Sequence, residues 1–287
     1  MNPSAQEIAT RFGLKRHRLS WRGRCPACDY ATTFCVRAGR DGHPLLYCAS
    51  CQDRDALAEA VASATGQERQ PRQPDKDDAA LRQRKQDRAL ALWRGSEPAR
   101  GTPAELYLTA RALPALAASS ALRFRADTPH PEGGRYSALI ALVSAPDGTP
   151  LAVHRTFITR DGRKATVEPV KASLGPVWGG AIRLNDHDPR QPLAIGEGIE
   201  SAGAAGVLLG SPAWAALSAG NMAKGLVLPP EARRVVIAAD PDEAGREAAR
   251  DAWTRWTAEG REVRVAVPDD GGDFNDLLMA RGANHAA

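Results

Sequence analysis

Two cysteine pairs constrain this chain more than any other feature in it. Cys25-Pro-Ala-Cys28 and Cys48-Ala-Ser-Cys51 are separated by 19 residues. Each C-x2-C knuckle can offer two thiolates to one tetrahedral ion, so two knuckles at this distance predict a ribbon folded around zinc. The stretches between them, FCVRAG and HPLLYC, alternate as the strands of such a ribbon should. Four thiolates leave no open coordination position, so the ion is expected to be structural, contributing on the order of 10 kcal/mol to folding. The fifth cysteine, Cys35, sits inside FCVRAG and reads as a buried, inert thiol. Paired cysteines of this kind, no apolar leader in MNPSAQEIATRFGLKRHR and no long apolar run predict a cytoplasmic protein without a membrane span.

Just ahead of Cys25 lies RFGLKRHRLSWRGR, residues 11–24, with six Lys or Arg, no acid, and Phe12 and Trp21 interleaved. Cations for phosphates and aromatic faces for bases are the means of single-strand binding, so Arg16, Arg18, Trp21 and Arg22 are candidate nucleic-acid contacts. An amphipathic helix with a cationic face is the plainer reading of the same residues. Over the whole chain the formal charge is only +4, but residues 191–287 carry nine basic against fourteen acidic side chains, while residues 1–190 are basic. A basic front and an acidic back suit a protein that grips phosphates with one part and cations with another.

Hydrophobic residues at 43% are enough to bury real cores, and 287 residues suit two or three of them. Residues 1–65 hold every cysteine. Residues 66–78, GQERQPRQPDKDD, have no core-forming side chain and read as a flexible linker, followed by the helical AALRQRKQDRALALWRG. The boundaries are set at 66–88 for the linker and start of that helix, and at 89–191 for a basic subdomain. In the latter, YSALIALVSA and LAVHRTFIT, punctuated by Pro146-Asp147-Gly148 and Asp161-Gly162, predict a small antiparallel sheet of hairpins. From 192 to 287 the pattern becomes strand–helix: PLAIGEG, IESAGAAGVLL, RRVVIAADPDEAG, REAARDAWTRWTAEG, REVRVAVPDD and DFNDLLMARG. That alternation predicts a parallel α/β sheet flanked by helices.

Ligands of parallel sheets gather at the carboxyl ends of the strands. Glu197 in GEG, Asp240 and Asp242 in DPD, and Asp273 and Asp276 in DFND fall at such ends. Carboxylates brought together repel, and the usual remedy is a hard cation, Mg²⁺ or Mn²⁺. Gly245 would let the helix after DPD approach closely. Glu200, one turn after Glu197, reads as a surface or capping residue, with a supporting role behind the crevice acids as the alternative.

In this order, GEGIES, AADPDEAGREAA and DFNDLL resemble a Toprim domain, the fold shared by bacterial-type primases, topoisomerases and some nucleases. With the four-cysteine ribbon in front, the chain resembles the DnaG-type primases, particularly the short ones of phages, plasmids and mobile elements. The resemblance implies a zinc-ribbon domain at 1–65, a small α+β primase subdomain and a Toprim catalytic domain at 192–287. It makes Glu197 the general acid/base or metal-organising glutamate, Asp240 and Asp242 the metal-binding pair, and Asp273, with Asn275 and Asp276, the last acidic motif. Within ALIALVSAPDGTPLAVHRTFITRDGRKATVEPVKASLG, His154-Arg155 and Lys171 occupy places comparable to the family's basic residues. Arg155, Lys164 and Lys171 could then hold template or triphosphate.

The expectation is a primase that makes short RNA primers on single-stranded DNA from ribonucleoside triphosphates, with Mg²⁺ or Mn²⁺ at the carboxylates. The chain has no G-x-x-x-x-G-K-[ST] motif, so a replicative helicase would be a separate partner. A metal-dependent Toprim nuclease and a non-catalytic nucleic-acid-binding protein are the alternatives.

Overall fold

The computed structural model describes residues 3–17, 19–27, 29, 33–39, 42–48, 54–66, 76–268 and 271–285. They belong to two compact units, Met1–Asp75 and Lys76–Ala287. Among the described residues no helix is long and apolar enough to cross a membrane.

The first unit opens with helix α1 (Ala5–Arg11), started by a reciprocal cap. The Ser4 hydroxyl accepts from the Glu7 amide, and the Glu7 carboxylate accepts from the Ser4 amide. Strands β1 (Lys15–His17), β2 (Ser20–Gly23), β3 (Phe34–Ala38) and β4 (Pro44–Cys48) form an antiparallel sheet in chain order, followed by α2 (Arg54–Thr65). Alternation sends Phe34 and Val36 inward to pack with Ile8, Leu57, Cys25 and Cys48, all fully buried. The basic segment 11–24 is therefore the end of a helix and a hairpin, not one amphipathic helix.

The second unit begins with α3 (Lys76–Arg94), so the last three residues read as linker are already helical. Strands β5 (Glu97–Pro98), β6 (Leu122–Pro129), β7 (Arg135–Ser144), β8 (Pro150–Phe157) and β9 (Lys171–Leu174) form an antiparallel sheet in that order. Ala89, Leu92 and Trp93 of α3 pack on one face of it, against Ala138, Ile140, Val153 and Phe157. Helix α4 (Pro103–Thr109), between β5 and β6, is capped by Thr102, with Pro103 in its first turn.

The remaining elements are β10 (Ile182–Arg183), β11 (Leu193–Gly196), α5 (Ile199–Leu209), β12 (Ala213–Ala215), β13 (Arg234–Ala238), α6 (Glu243–Ala258), β14 (Glu262–Ala266) and α7 (Phe274–His285). Their sheet runs β10-β12-β11-β13-β14, parallel from β12 to β14, with β10 antiparallel at one edge. The connection after β11 leads to one side of it and the connection after β12 returns to the other. This opens a switch-point crevice at the carboxyl end of β11. Helix α5 is built from Ala, Gly and Ser on its buried side, which lets it lie close to the sheet. A Cβ on Gly196 would meet the Ala202 backbone at 2.8 Å. The main core joins α5 and α7 to Leu113, Leu116, Leu122 and Leu139 of the antiparallel half.

Candidate active site and the cysteine ribbon

Three segments bring acids to the crevice. Glu197 follows β11, and Asp240 lies two residues beyond β13, whose Ala238 is paired with Gly196. The Asp242 side chain caps α6, accepting from the Gly245 amide at 2.6 Å. A Cβ on Gly245 would lie 2.6 Å from the Asp240 carbonyl oxygen, so only glycine allows this close turn. Asp273 and Asp276 cap each other at the start of α7: Asp273 Oδ1 accepts from the Asp276 amide at 2.9 Å, and Asp276 Oδ2 from the Asp273 amide at 3.1 Å. Asn275 points inward, fully buried, and donates to the Arg111 carbonyl at 2.7 Å.

Burial, and then crowding by like charges, raises the proton affinity of two of them, Glu197 and Asp240. Burial, then Asp240 and Asp242, push Glu197 up to about 7, against an amide bond from Ala219 and the attraction of Lys171. Asp240 is likewise raised, first by burial and then by Asp273 and Asp242, while a hydrogen bond with Ser201 opposes the shift. Asp240 Oδ1 is buried without a hydrogen-bond partner. An unpartnered carboxylate oxygen among like charges is what a hard cation would satisfy. The donor set therefore fits Mg²⁺ or Mn²⁺. No group of three or more His, Cys, Asp or Glu among the described residues closes into a ready metal cage. The helix caps account for part of this, because Asp242, Asp273 and Asp276 each turn one oxygen to a backbone amide. Magnesium tolerates that arrangement, since it keeps several waters and needs only one or two carboxylates.

Cations stand beside the acids. Lys171, on β9, places Nζ 2.9 Å from Glu200 Oε2. Tyr107, on α4, donates to Glu200 Oε1. Glu200 is buried rather than a surface residue. Burial works against its charge, but the Lys171 ammonium and the two hydrogen bonds outweigh it and hold the carboxyl at about 2. The same neighbourhood lifts the Tyr107 hydroxyl well above its usual range, burial first and the Glu200 charge second. Lys164 is exposed on the loop before β9, and its ammonium is lowered by partial burial, then by Lys171 and Arg111. Arg111 also lies 5.6 Å from the Tyr107 ring centre. Tyr107, Arg111 and Ser201 were not among the residues expected from sequence, and Glu200 takes the supporting role that was the alternative to a surface or capping one. Tyr107 is 93 residues from its partner, and no local pattern carries that signal.

Arg155 requires a correction. Its side chain is 5% exposed, and its nitrogens donate to the carbonyls of Pro129, Ala172 and Ser173 at 2.8–3.2 Å. Burial, reinforced by Arg88, lowers its guanidinium to about 10. A group spent on the framework is not offered to a template, so Arg155 ties β8 to its neighbours. His154 pairs with the Ser173 hydroxyl at 3.0 Å and is held to about 3, chiefly by burial.

In the first unit Cys25 and Cys48 are both fully buried. Cys25 Sγ accepts from the Ala27 amide at 3.4 Å, and Asp29, at φ +59°, closes the turn by donating to the Cys25 carbonyl. A cysteine sulfur that accepts a backbone amide at a tight turn suits a metal-holding knuckle, so the described half of the cluster fits zinc. Cys28 and Cys51 lie outside the described residues, as does Arg18. The remaining basic candidates divide between two faces of the sheet. Arg16 stacks over Trp21 at 4.5 Å in the β1–β2 hairpin, whereas Arg22 is paired with Lys15 and Cys35 on the opposite side.

Residues 83–184 match a domain of unknown function (DUF7146), and residues 192–284 match a Toprim domain. No curated protein matches the chain. Among solved structures it is similar to the RNA polymerase domain of Mycobacterium tuberculosis primase DnaG, at 18% identity and a TM-score of 0.46 over 71% of this chain and 81% of that one. The Aquifex aeolicus primase, with zinc-binding and RNA polymerase domains, gives 15% identity and a TM-score of 0.45 over 99% of this chain and 81% of that one. The primase fragment of the bacteriophage T7 primase-helicase gives 15% and 0.42 over 93% and 97%. The motifs GEG, DPD and DFND all fall within residues 192–284, the part of the chain that matches a Toprim domain.

Proposed function

We propose that this chain is a primase, joining ribonucleoside triphosphates into short primers on single-stranded DNA. The observation that carries the reading is that Glu197 and Asp240, beyond the adjacent strands β11 and β13, feel each other's or Asp242's and Asp273's charge, with one Asp240 oxygen buried and unpartnered, beside Lys171 and Lys164. Glu197, Asp240, Asp242 and Asp273 would hold Mg²⁺ or Mn²⁺, with Asp276 supporting Asp273 through their shared cap. A bound divalent ion would neutralise charge on a transferring phosphate and favour ionisation of the attacking hydroxyl. The protein supplies position and charge: Lys171 and Lys164 face the incoming phosphates, and Glu197 is placed to take a proton from a hydroxyl. No protein nucleophile is required.

Cys25, Cys28, Cys48 and Cys51 would hold one structural zinc, and the surrounding Arg16, Arg18, Trp21 and Arg22 would engage the template strand. The domain limits 1–65, 66–88, 89–191 and 192–287 belong to the same proposal. So do action in the cytoplasm and a replicative helicase as partner. Primer synthesis from labelled ribonucleotides on single-stranded DNA, with Mg²⁺ or Mn²⁺, tests the reading. Short products that vanish with Asp240→Ala are expected. Cleavage of the template in place of synthesis would assign the site to a nuclease, and neither product would leave a binding role.

A further inference from the structure

Glu200 belongs to none of the acidic strand ends, yet it is 7% exposed and ionised in the middle of the second unit. A buried carboxylate is retained only when both oxygens are satisfied, and here each has a different partner. Oε1 accepts from Tyr107 of α4, and Oε2 accepts from Lys171 of β9 at 2.9 Å. Tyr107 is itself 1% exposed and rigidly packed, so its hydroxyl fixes the carboxylate plane. Lys171 is the mobile member, with a third of its side chain still open to solvent. Its ammonium lies 4.0 Å from where a Cβ on Gly198 would stand, immediately beside Glu197. Four flexible carbon–carbon bonds would otherwise let that charge wander over several ångströms.

We infer that Glu200, oriented by Tyr107, is a positioning residue that holds the Lys171 ammonium at the rim of the carboxylate crevice, ready for an anionic phosphate group of the substrate. The idea rests on the primase reading for the identity of that phosphate, but the hold on Lys171 does not. Glu200 touches no reacting atom; it acts through the lysine. A charge fixed in advance stabilises a developing phosphate charge without reorganisation, whereas a loose lysine binds the ground state equally well. Loss of Glu200 should therefore lower kcat and leave KM for nucleotide almost unchanged.

Two measurements on the full chain test this. In the first, acetylation at Lys171 is followed by peptide mass spectrometry, with the exposed Lys224 as internal reference. Glu200→Gln and the near-isosteric Tyr107→Phe should each raise the rate at Lys171 several-fold and leave Lys224 unchanged. Equal rates in wild type and both variants would overturn the inference. In the second, primer synthesis should show kcat lowered about 10–100-fold in Glu200→Gln, with KM for nucleotide within about twofold of wild type. Adding Lys171→Met to Glu200→Gln should raise KM but lower kcat little further; fully additive losses in kcat, or a rise in KM with kcat intact in Glu200→Gln alone, would refute positioning. A wild-type chain that synthesises nothing while its variants still show the labelling difference refutes the primase reading and leaves the hold of Glu200 on Lys171 supported.

Discussion

Glu200→Gln should also destabilise the second unit in a way that depends on pH. The change keeps the size of the side chain and removes its charge, so the effect reads the Lys171–Glu200 pair. The Glu200 carboxyl sits at about 2 in the fold against an ordinary 4.5, and each tenfold in proton affinity is about 1.4 kcal/mol, giving about 3 kcal/mol at neutral pH. Breaking a buried ion pair by deleting one partner costs about 3–5 kcal/mol. Lys171 retains 33% of its side-chain exposure and can rehydrate, which places the loss near the lower end, about 2–3 kcal/mol. Because the folded carboxyl is the stronger acid, its contribution is complete above pH 4.5 and is lost as pH falls from there towards 2. Urea unfolding in EDTA, followed by tryptophan fluorescence, measures it. Trp21 is the one tryptophan outside the second unit, and Trp214 and Trp256 are deeply buried within it. Wild type and variant should differ most at pH 7, by about half as much at pH 3, and converge towards pH 2. A difference that stays constant from pH 7 to pH 3 would show that the lost stability is packing, not charge, and would refute the argument.

Asp240→Asn removes a carboxylate that burial and its neighbours disfavour, so in EDTA the variant should melt at the same temperature as wild type or higher. It should also lose most of the rise in melting temperature that Mg²⁺ gives the wild type. Asn221 is fully buried, accepts from the Gly179 amide and donates to the carbonyls of Gly180 and Ala216. Asn221→Ala would strand all three groups and should cost about 2–4 kcal/mol in urea unfolding. In the first unit, Cys25→Ala should abolish zinc retention measured by atomic absorption and remove protection of the β3–β4 amides from hydrogen exchange.

Local pattern was enough for much of the fold. IESAGAAGVLL was read as a helix behind the first strand, and α5 spans those residues. The helices after Asp242 and Asp273 were legible for the same reason: each begins at an acid that caps it. β12 escaped notice because Ala213, Trp214 and Ala215 are all buried, so a three-residue strand shows no alternation among the alanines around it. β10 is shorter still and is defined only by its partner. At the site, the acids could be found because Glu197 and Asp240 follow strands and Asp242, Asp273 and Asp276 start the helices behind them. Residues that act through distant partners could not. Tyr107 reaches Glu200 from α4, with Arg111 just beyond that helix, and Glu200's position in a first helical turn does not by itself choose between capping and support. Arg155 shows the converse: a basic residue in a place comparable to the family's invites a phosphate reading, and only burial reveals that its donors are taken.

The acids that start α6 and α7 carry a consequence for how any mutational series on this crevice is designed. Asp242, Asp273 and Asp276 each offer one oxygen to a helix end, which leaves the other available. Alanine at these positions deletes a charge and unpins a helix together, so an inactive alanine variant cannot say which loss mattered. Asparagine separates them, because it caps about as well as aspartate while carrying no charge, whereas alanine forfeits about 1 kcal/mol of cap. The contrast between the two replacements at one position therefore isolates electrostatics from scaffolding. Asp240 has no cap to lose and serves as the reference.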